Sequence, residues 1–316
     1  MRLLPVILLS LAICGCSWPR GYSHIRTERT TADSRVVRIT SNQGPFIEAV
    51  PNWNIASIDS NAPNLSWRAR QTIGSEERWT NWSPILSTAN PGDGRFAKLD
   101  VDVITGAFDS VELKFDGASA PIGRLSLTGT LMKRAAIVTA SRGTEVRIHV
   151  PHRSQKTDDE SLAGRLCSPA SLAMICAFYG ESIDVATLAR AAHDDLHDIY
   201  GNWPRNLQAV HQLTKGRLDA RFMRMSSFQE LRELLESGTP VVISVRGSLS
   251  GAPYSPTAGH LLVVCGMTAD GDIITVDPAF KDAMSANRIY SARDIAIAWL
   301  VNRRGSAYVV TRASTP

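Results

Sequence analysis

The chain has 316 residues, 44 % of them hydrophobic and 20 % charged. That is an ordinary globular composition, long enough for about two domains at roughly 100–200 residues each. The formal charge of +4 is scattered over many arginines without a dense basic run, which argues against nucleic acid as a partner.

Taken from the N-terminus, Arg2 supplies a short positive region and Leu3 to Ile13 an apolar stretch. Its length suits a signal peptide and is too short for a comfortable membrane span. It runs into Ile13-Cys14-Gly15-Cys16, which resembles the lipobox of bacterial lipoproteins, a small residue directly before the modified cysteine. Gly15 makes Cys16 the lipidated position; the bulky Ile13 fits poorly before Cys14. Residues 1–15 are expected to be a signal peptide and residues 16–35 a polar, lipid-anchored tether. Ser17 follows the lipid cysteine in place of the aspartate that signals inner-membrane retention. The expected location is therefore the cell envelope, at the outer membrane where there are two. Cys167, Cys176 and Cys265 remain for the folded part. An odd number in an oxidising compartment leaves at least one free thiol.

Residues 36–150 read as an all-β, sandwich-like domain. Val36–Ile39, Leu65–Arg70, Phe96–Val103, Val111–Phe115 and Val146–Val150 mix β-formers with alternation, and Asn90-Pro91-Gly92-Asp93-Gly94 and Asp116-Gly117 punctuate them. Trp18, Trp53, Trp67, Trp79 and Trp82 all fall before residue 100. Trp79-Thr80-Asn81-Trp82 offers a sugar-stacking edge, but core and turn packing is the stronger expectation for such rings.

Residues 151–316 read as α+β, with helices packed on an antiparallel sheet. A helix is expected from Cys167, its start marked by Ser168 and Pro169 and its end by Gly180. Further helices fit Val185–Ala192, Asn206–Leu213 and Ser227–Glu236, the last with Ser227 and Glu230 as a capping box. Thr239–Val245, Gly259–Met267 and Asp272–Val276 read as strands, the last two joined by an Asp270-Gly271 turn.

The chemistry concentrates at three of these positions. A thiol at a helix start feels the positive end of the helix dipole and unpaired N–H groups, both of which favour thiolate. His260 opens an apolar strand, and Gly259 before it allows another element to approach closely. Asp277 follows the next strand and supplies a carboxylate able to fix the imidazole tautomer. Cys167, His260 and Asp277 thus form a nucleophile, base and orienter in the order Cys…His…Asp. A tight turn leaves Asp277 a few residues out of register with His260, so a bulge, twist or wider loop has to close the gap. Gln155 and the Cys167 N–H are the candidate oxyanion donors. Cys176 and Cys265 point away from the site and are expected in the core, where a disulfide between them is one option.

These segments carry a family resemblance. Ser154-Gln155, Cys167-Ser168-Pro169-Ala170-Ser171-Leu172-Ala173-Met174, Gly259-His260-Leu261-Leu262-Val263-Val264 and Asp277-Pro278-Ala279 resemble the papain-like cysteine peptidases of family thirty-nine, which include the bacteriocin double-glycine leader peptidases. Tyr200-Gly201-Asn202-Trp203-Pro204 and Ala298-Trp299-Leu300 resemble a stand-alone envelope branch, and Trp203 is carried as a substrate-binding candidate. Gln155 lies further from the cysteine than the family's glutamine usually does. The resemblance implies a cysteine-dependent hydrolase that cleaves a peptide or amide bond through a thioester. A catalytically silent binding protein on the same scaffold and a thiol acyltransferase are the alternatives. The expected partners are a peptide or protein substrate, with peptidoglycan peptide among the candidates, and the membrane through the lipid.

No cofactor and no metal is expected. His193-Asp194-Asp195-Leu196-His197 has the i, i+4 histidine spacing of a metalloprotease helix, but with aspartate in place of glutamate it reads as a polar helix end. The Gly-, Ser- and Pro-rich loop Arg246 to Pro256 is either a cleft wall or an idle surface loop.

Overall fold

The structure, a computed structural model, describes residues 21–29, 36–55, 65–85, 96–115, 122–133, 141–159, 161–162, 164–252 and 259–313. The expected signal peptide and tether start, with Cys14, Cys16 and Trp18, lie outside the described residues. Among the described residues, no helix is long and apolar enough to cross a membrane.

The N-terminal strands are β1 (Gly21–Arg29), β2 (Val36–Thr40), β3 (Phe46–Ile55), β4 (Leu65–Ile73), β5 (Glu76–Trp79), β6 (Ser83–Pro84), β7 (Ala97–Asp100), β8 (Val103–Phe108), β9 (Ser110–Phe115) and β10 (Ile122–Lys133). They form two antiparallel sheets, ordered β1-β10-β3-β8-β7 and β2-β9-β4-β5, with β6 against β4. Alternation decides which side chains turn inward: Val37 and Ile39 on β2, and Leu65, Trp67 and Ala69 on β4, are buried while their neighbours are not. They share one apolar core with Trp53, Ile55, Leu125 and Leu127 of the other sheet. On the outer face, the Arg68 guanidinium lies 4.4 Å from the Trp79 ring and 4.6 Å from Trp82, and Lys114 lies 4.7 Å from Trp82. These cation–π contacts occupy the ring faces of the Trp79–Trp82 edge, which is therefore spent on packing.

Three local expectations change. Gly21–Arg29, assigned above to the tether, is a strand paired along β10, where it satisfies an edge that would otherwise be exposed. Phe96–Val103 is two strands joined at Val101-Asp102, both with positive φ (49° and 58°), as a two-residue hairpin turn requires. That turn is held from outside: Asp102 accepts bonds from Asn202 at 2.8 Å and Arg205 at 3.0 Å. Val146–Arg147 belongs to the second half of the molecule, pairing with Met267 and Gly266. Gly266 permits this, because a Cβ there would meet the Val146 carbonyl at 2.2 Å.

The second half contains β11 (Val146–Arg147), α1 (Cys167–Phe178), α2 (Val185–Ala192), α3 (Trp203–Leu213), β12 (Leu218–Arg224), α4 (Phe228–Glu236), β13 (Val241–Val245), β14 (His260–Met267), β15 (Ile273–Val276), α5 (Ala283–Ala286), β16 (Asn287–Tyr290), α6 (Ala292–Ile295) continuing as a π-helical turn over Ala296–Val301, and β17 (Ser306–Arg312). The antiparallel sheet runs β12-β17-β13-β14-β15-β16. Its two faces bury two separate cores, one with α1, α2 and α3, the other with α4, α6 and the π-helical turn. Helices on both faces explain why β13, β14 and β15 are buried throughout and read as near-continuous apolar runs.

Local sequence sets the ends of α1 and α4. Gly180, at φ +87°, closes α1: its N–H donates to Ala177 and that of Glu181 to Cys176, the Schellman pattern. Ser227 caps α4, but the Glu230 carboxylate returns to the Ser226 N–H rather than to the cap residue's own. Buried polar contacts join the halves. The Gln208 side-chain amide bonds both the N–H and the carbonyl of Ile55. Glu48 takes Arg224 and Arg304, and Asp219 takes Arg124 and Asn54.

Candidate active site

Two departures from a tight turn set the register of β15 on β14. A two-residue Asp270-Gly271 turn would set Asp277 opposite Val264, four residues from His260. Instead the loop spans residues 268–272, with the Thr268 N–H donating to the Asp272 carbonyl, and Met267 pairs with Ile273. The ladder then shifts by one more residue between Val264 and Gly266. Each change slides β15 by one residue along β14. Val263 pairs with Val276, so Asp277 falls opposite Leu262, the diagonal neighbour of His260 on the same face. His260 Nε2 and Asp277 Oδ1 stand 2.8 Å apart. The same oxygen accepts the Ala279 N–H at 2.9 Å, which holds the carboxylate in place.

Cys167 is the first residue of α1, and Leu166 before it offers no side-chain cap. The first-turn N–H groups are left to other acceptors, and the sulfur is one. Burial raises the Cys167 thiol, but the hydrogen bond and charge of His260, with the N–H groups of Leu261 and Ser168, outweigh it and hold the thiol below its ordinary value. With Nε2 on Asp277, the other ring nitrogen serves Cys167. Burial also disfavours a charged His260, yet the bonds to Asp277 and Cys167 raise it from 6.5 to about 9. The two shifts oppose each other in sign, as expected when each group favours the charged form of the other. Two further bonds fix α1 against the sheet that carries the histidine. Ser171 Oγ donates to the Leu261 carbonyl at 3.2 Å, and Ser168 Oγ lies 3.0 Å from the Tyr308 hydroxyl.

Gln155 is buried, and its backbone N–H donates to the Pro278 carbonyl at 2.8 Å, one residue past Asp277. Among the described residues its side-chain Oε1 is buried without a hydrogen-bond partner. Between Gln155 and the cysteine the Leu162 N–H donates to the Asp159 carbonyl and the Arg165 N–H to the Leu162 carbonyl. A cleft of about 340 Å³ opens beside Gln155, lined by the apolar Leu162, Leu166 and Ala189 and by Lys156, Arg190 and Tyr200.

The remaining expected positions go elsewhere. Trp203 stacks on Phe222 at 5.0 Å with the Arg224 guanidinium 5.5 Å from its ring, a packing role between α3 and β12; the cleft takes its aromatic wall from Tyr200. His193 and His197 share no helix face, because α2 stops at Ala192 and an Asp194–Ile199 bridge closes the loop. His197 pairs with Asp194 at 2.9 Å and His193 with Asp195 at 2.7 Å. Cys176 and Cys265 are buried free thiols, so the optional disulfide is not formed. The 246–256 loop is described only as far as Ala252. Sequence reasoning missed Arg303, which packs onto Gly259; the glycine was the signal, but nothing in the sequence named the neighbour.

Residues 147–307, half of the chain, match the family described as the Peptidase_C39-like family. No curated protein matches the chain. It is also similar to a solved structure from Bacillus anthracis described as a C39-like peptidase, at 17 % identity and a TM-score of 0.43, over 55 % of this chain and all of that one. With half of its length matched by that family's model, this chain belongs to the Peptidase_C39-like family.

Proposed function

We propose that the chain is a cysteine-dependent hydrolase that cleaves a peptide or amide bond through a thioester on Cys167. The observation that carries the proposal is the continuous relay from Cys167 through His260 to Asp277, with the thiol lowered and the imidazole raised to about 9. The thiolate attacks the substrate carbonyl, and the carbonyl π electrons move onto oxygen. The Cys167 N–H and the Gln155 amide donate to that oxyanion. As the tetrahedral adduct collapses, the C–N bond breaks and His260⁺ gives its proton to the leaving amine. Neutral His260 then takes a proton from water, the hydroxide adds to the thioester, and the acid is released with the thiolate restored. Asp277 holds the ring in place and steadies its cationic form without taking the proton.

The test is turnover on a panel of acidic, basic and apolar peptides together with peptidoglycan peptides. Wild type cleaves at least one class, and Cys167→Ala abolishes that cleavage while keeping the wild-type circular dichroism. Full turnover in the alanine variant defeats the mechanism.

A further inference from the structure

Gly259 stands at φ +115°, a conformation that side-chain-bearing residues avoid. The space beside its Cα is filled by Arg303: a Cβ built on Gly259 would lie 1.7 Å from one terminal nitrogen of the guanidinium and 2.8 Å from its central carbon. The guanidinium therefore rests on the backbone of the residue directly before His260. Arg303 reaches this place from the turn between the π-helical segment and β17. That turn is fixed by its own carbonyl, which accepts bonds from Arg224 and from Ser306 Oγ.

A second arginine ends at the same corner. Val245, the last residue of β13, pairs with His260, so Arg246 leaves the sheet at the level of the site. Asn302 Nδ2 donates to the Arg246 carbonyl at 2.7 Å and ties the two arginine-bearing segments together. The electrostatics agree with this geometry. Burial lowers Arg303 below the ordinary guanidinium value and Arg246 adds to that, while a thiolate on Cys167 acts in the opposite direction. An anion brought between two like charges lowers their mutual repulsion. A guanidinium has five N–H donors in a planar fork, so it can keep contacts within the fold and still present a pair of donors to a carboxylate.

We propose that Arg303, assisted by Arg246, is a specificity-determining residue that receives a carboxylate of an acidic peptide substrate close to the scissile bond. The proposal rests on the reading of Cys167 as the nucleophile, and it assigns the substrate class that reading leaves open.

Iodoacetate and iodoacetamide test it without a known substrate. Both lose iodide to the same thiolate and differ in carrying a carboxylate or a neutral amide. The ratio of their rates at Cys167 therefore cancels the thiolate population and reports local positive charge. The ratio is measured on the full-length chain near neutral pH, with labelling at Cys167 resolved by peptide mass spectrometry. In wild type it should exceed that of a short cysteine peptide. In Arg303→Met it should fall about fivefold, as expected for the loss of one nearby unit charge in a partly solvated setting. Arg303→Lys should keep most of the preference, and Arg246→Gln should lose a smaller part. An unchanged ratio in Arg303→Met overturns the proposal. So does a wild-type ratio no higher than the peptide's, which needs no variant to fold. If Cys167 reacts with neither reagent faster than the cysteine peptide, the nucleophile itself is refuted, and that result is distinct from the other two.

Discussion

Replacing Asp277 with asparagine tests the electrostatics of the site most sharply. His260 sits at about 9 against an ordinary 6.5. That rise corresponds to about 3 kcal/mol in favour of the imidazolium, at 1.36 kcal/mol per pKa unit. It is a net figure. Burial works against the charge, so Asp277 and Cys167 together contribute more than the net. His260 is 5 % exposed, which leaves little water to screen the loss of the carboxylate. Asparagine keeps the shape but removes the charge, and the imidazole titration should fall by at least about 1–2 units. The assay is an NMR titration of the His260 ring nitrogens in both proteins. Wild type should show a midpoint near 9. In a substrate assay, the activity of wild type should decline as pH rises through about 9, where His260 loses the proton it gives to the leaving amine. It should decline at acid pH as the thiolate protonates. In Asp277→Asn the alkaline limb of the activity profile moves down with the His260 midpoint. An unshifted His260 midpoint in the variant refutes the reasoning.

Two further substitutions separate chemistry from scaffold. Gln155→Ala should lower kcat by about 10²–10³ with little change in KM or melting temperature, since the Oε1 it removes has no partner among the described residues; unchanged turnover would remove Gln155 from the oxyanion site. Gly259→Ala should lower the melting temperature and turnover together, because positive φ costs about 1–3 kcal/mol for a side-chain-bearing residue and the new Cβ displaces Arg303; an unchanged melting curve contradicts that account.

The parts of the site that were legible depend on local rules. Cys167 as a helix start followed from Ser168, Pro169 and Gly180, and α1 occupies Cys167–Phe178. The apolar runs of β13, β14 and β15 were legible because helices cover both sheet faces. What escaped was long-range. The register of Asp277 depends on a ladder shift and a five-residue loop, and an Asp-Gly pair suggests a shorter one. The polar sequence of Gly21–Arg29 hid a strand whose reason to exist is the free edge of β10. Val146–Arg147 looked like the end of the β-rich half because nothing local shows that Gly266, far along the chain, makes room for it. Trp203 looked like a binding aromatic because the sequence could not show Phe222 beneath it.

The central claim is that Cys167 is held as a reactive thiolate by His260. The direct measurement is the rate at which iodoacetamide alkylates each cysteine of the folded part near neutral pH. Burial pushes Cys176 up to about 12 and Cys265 up to about 11, so both should remain unlabelled in the native protein. Cys167 should be alkylated far ahead of them, and faster than the thiol of a short peptide. A Cys167 as inert as Cys176 and Cys265 would contradict the account.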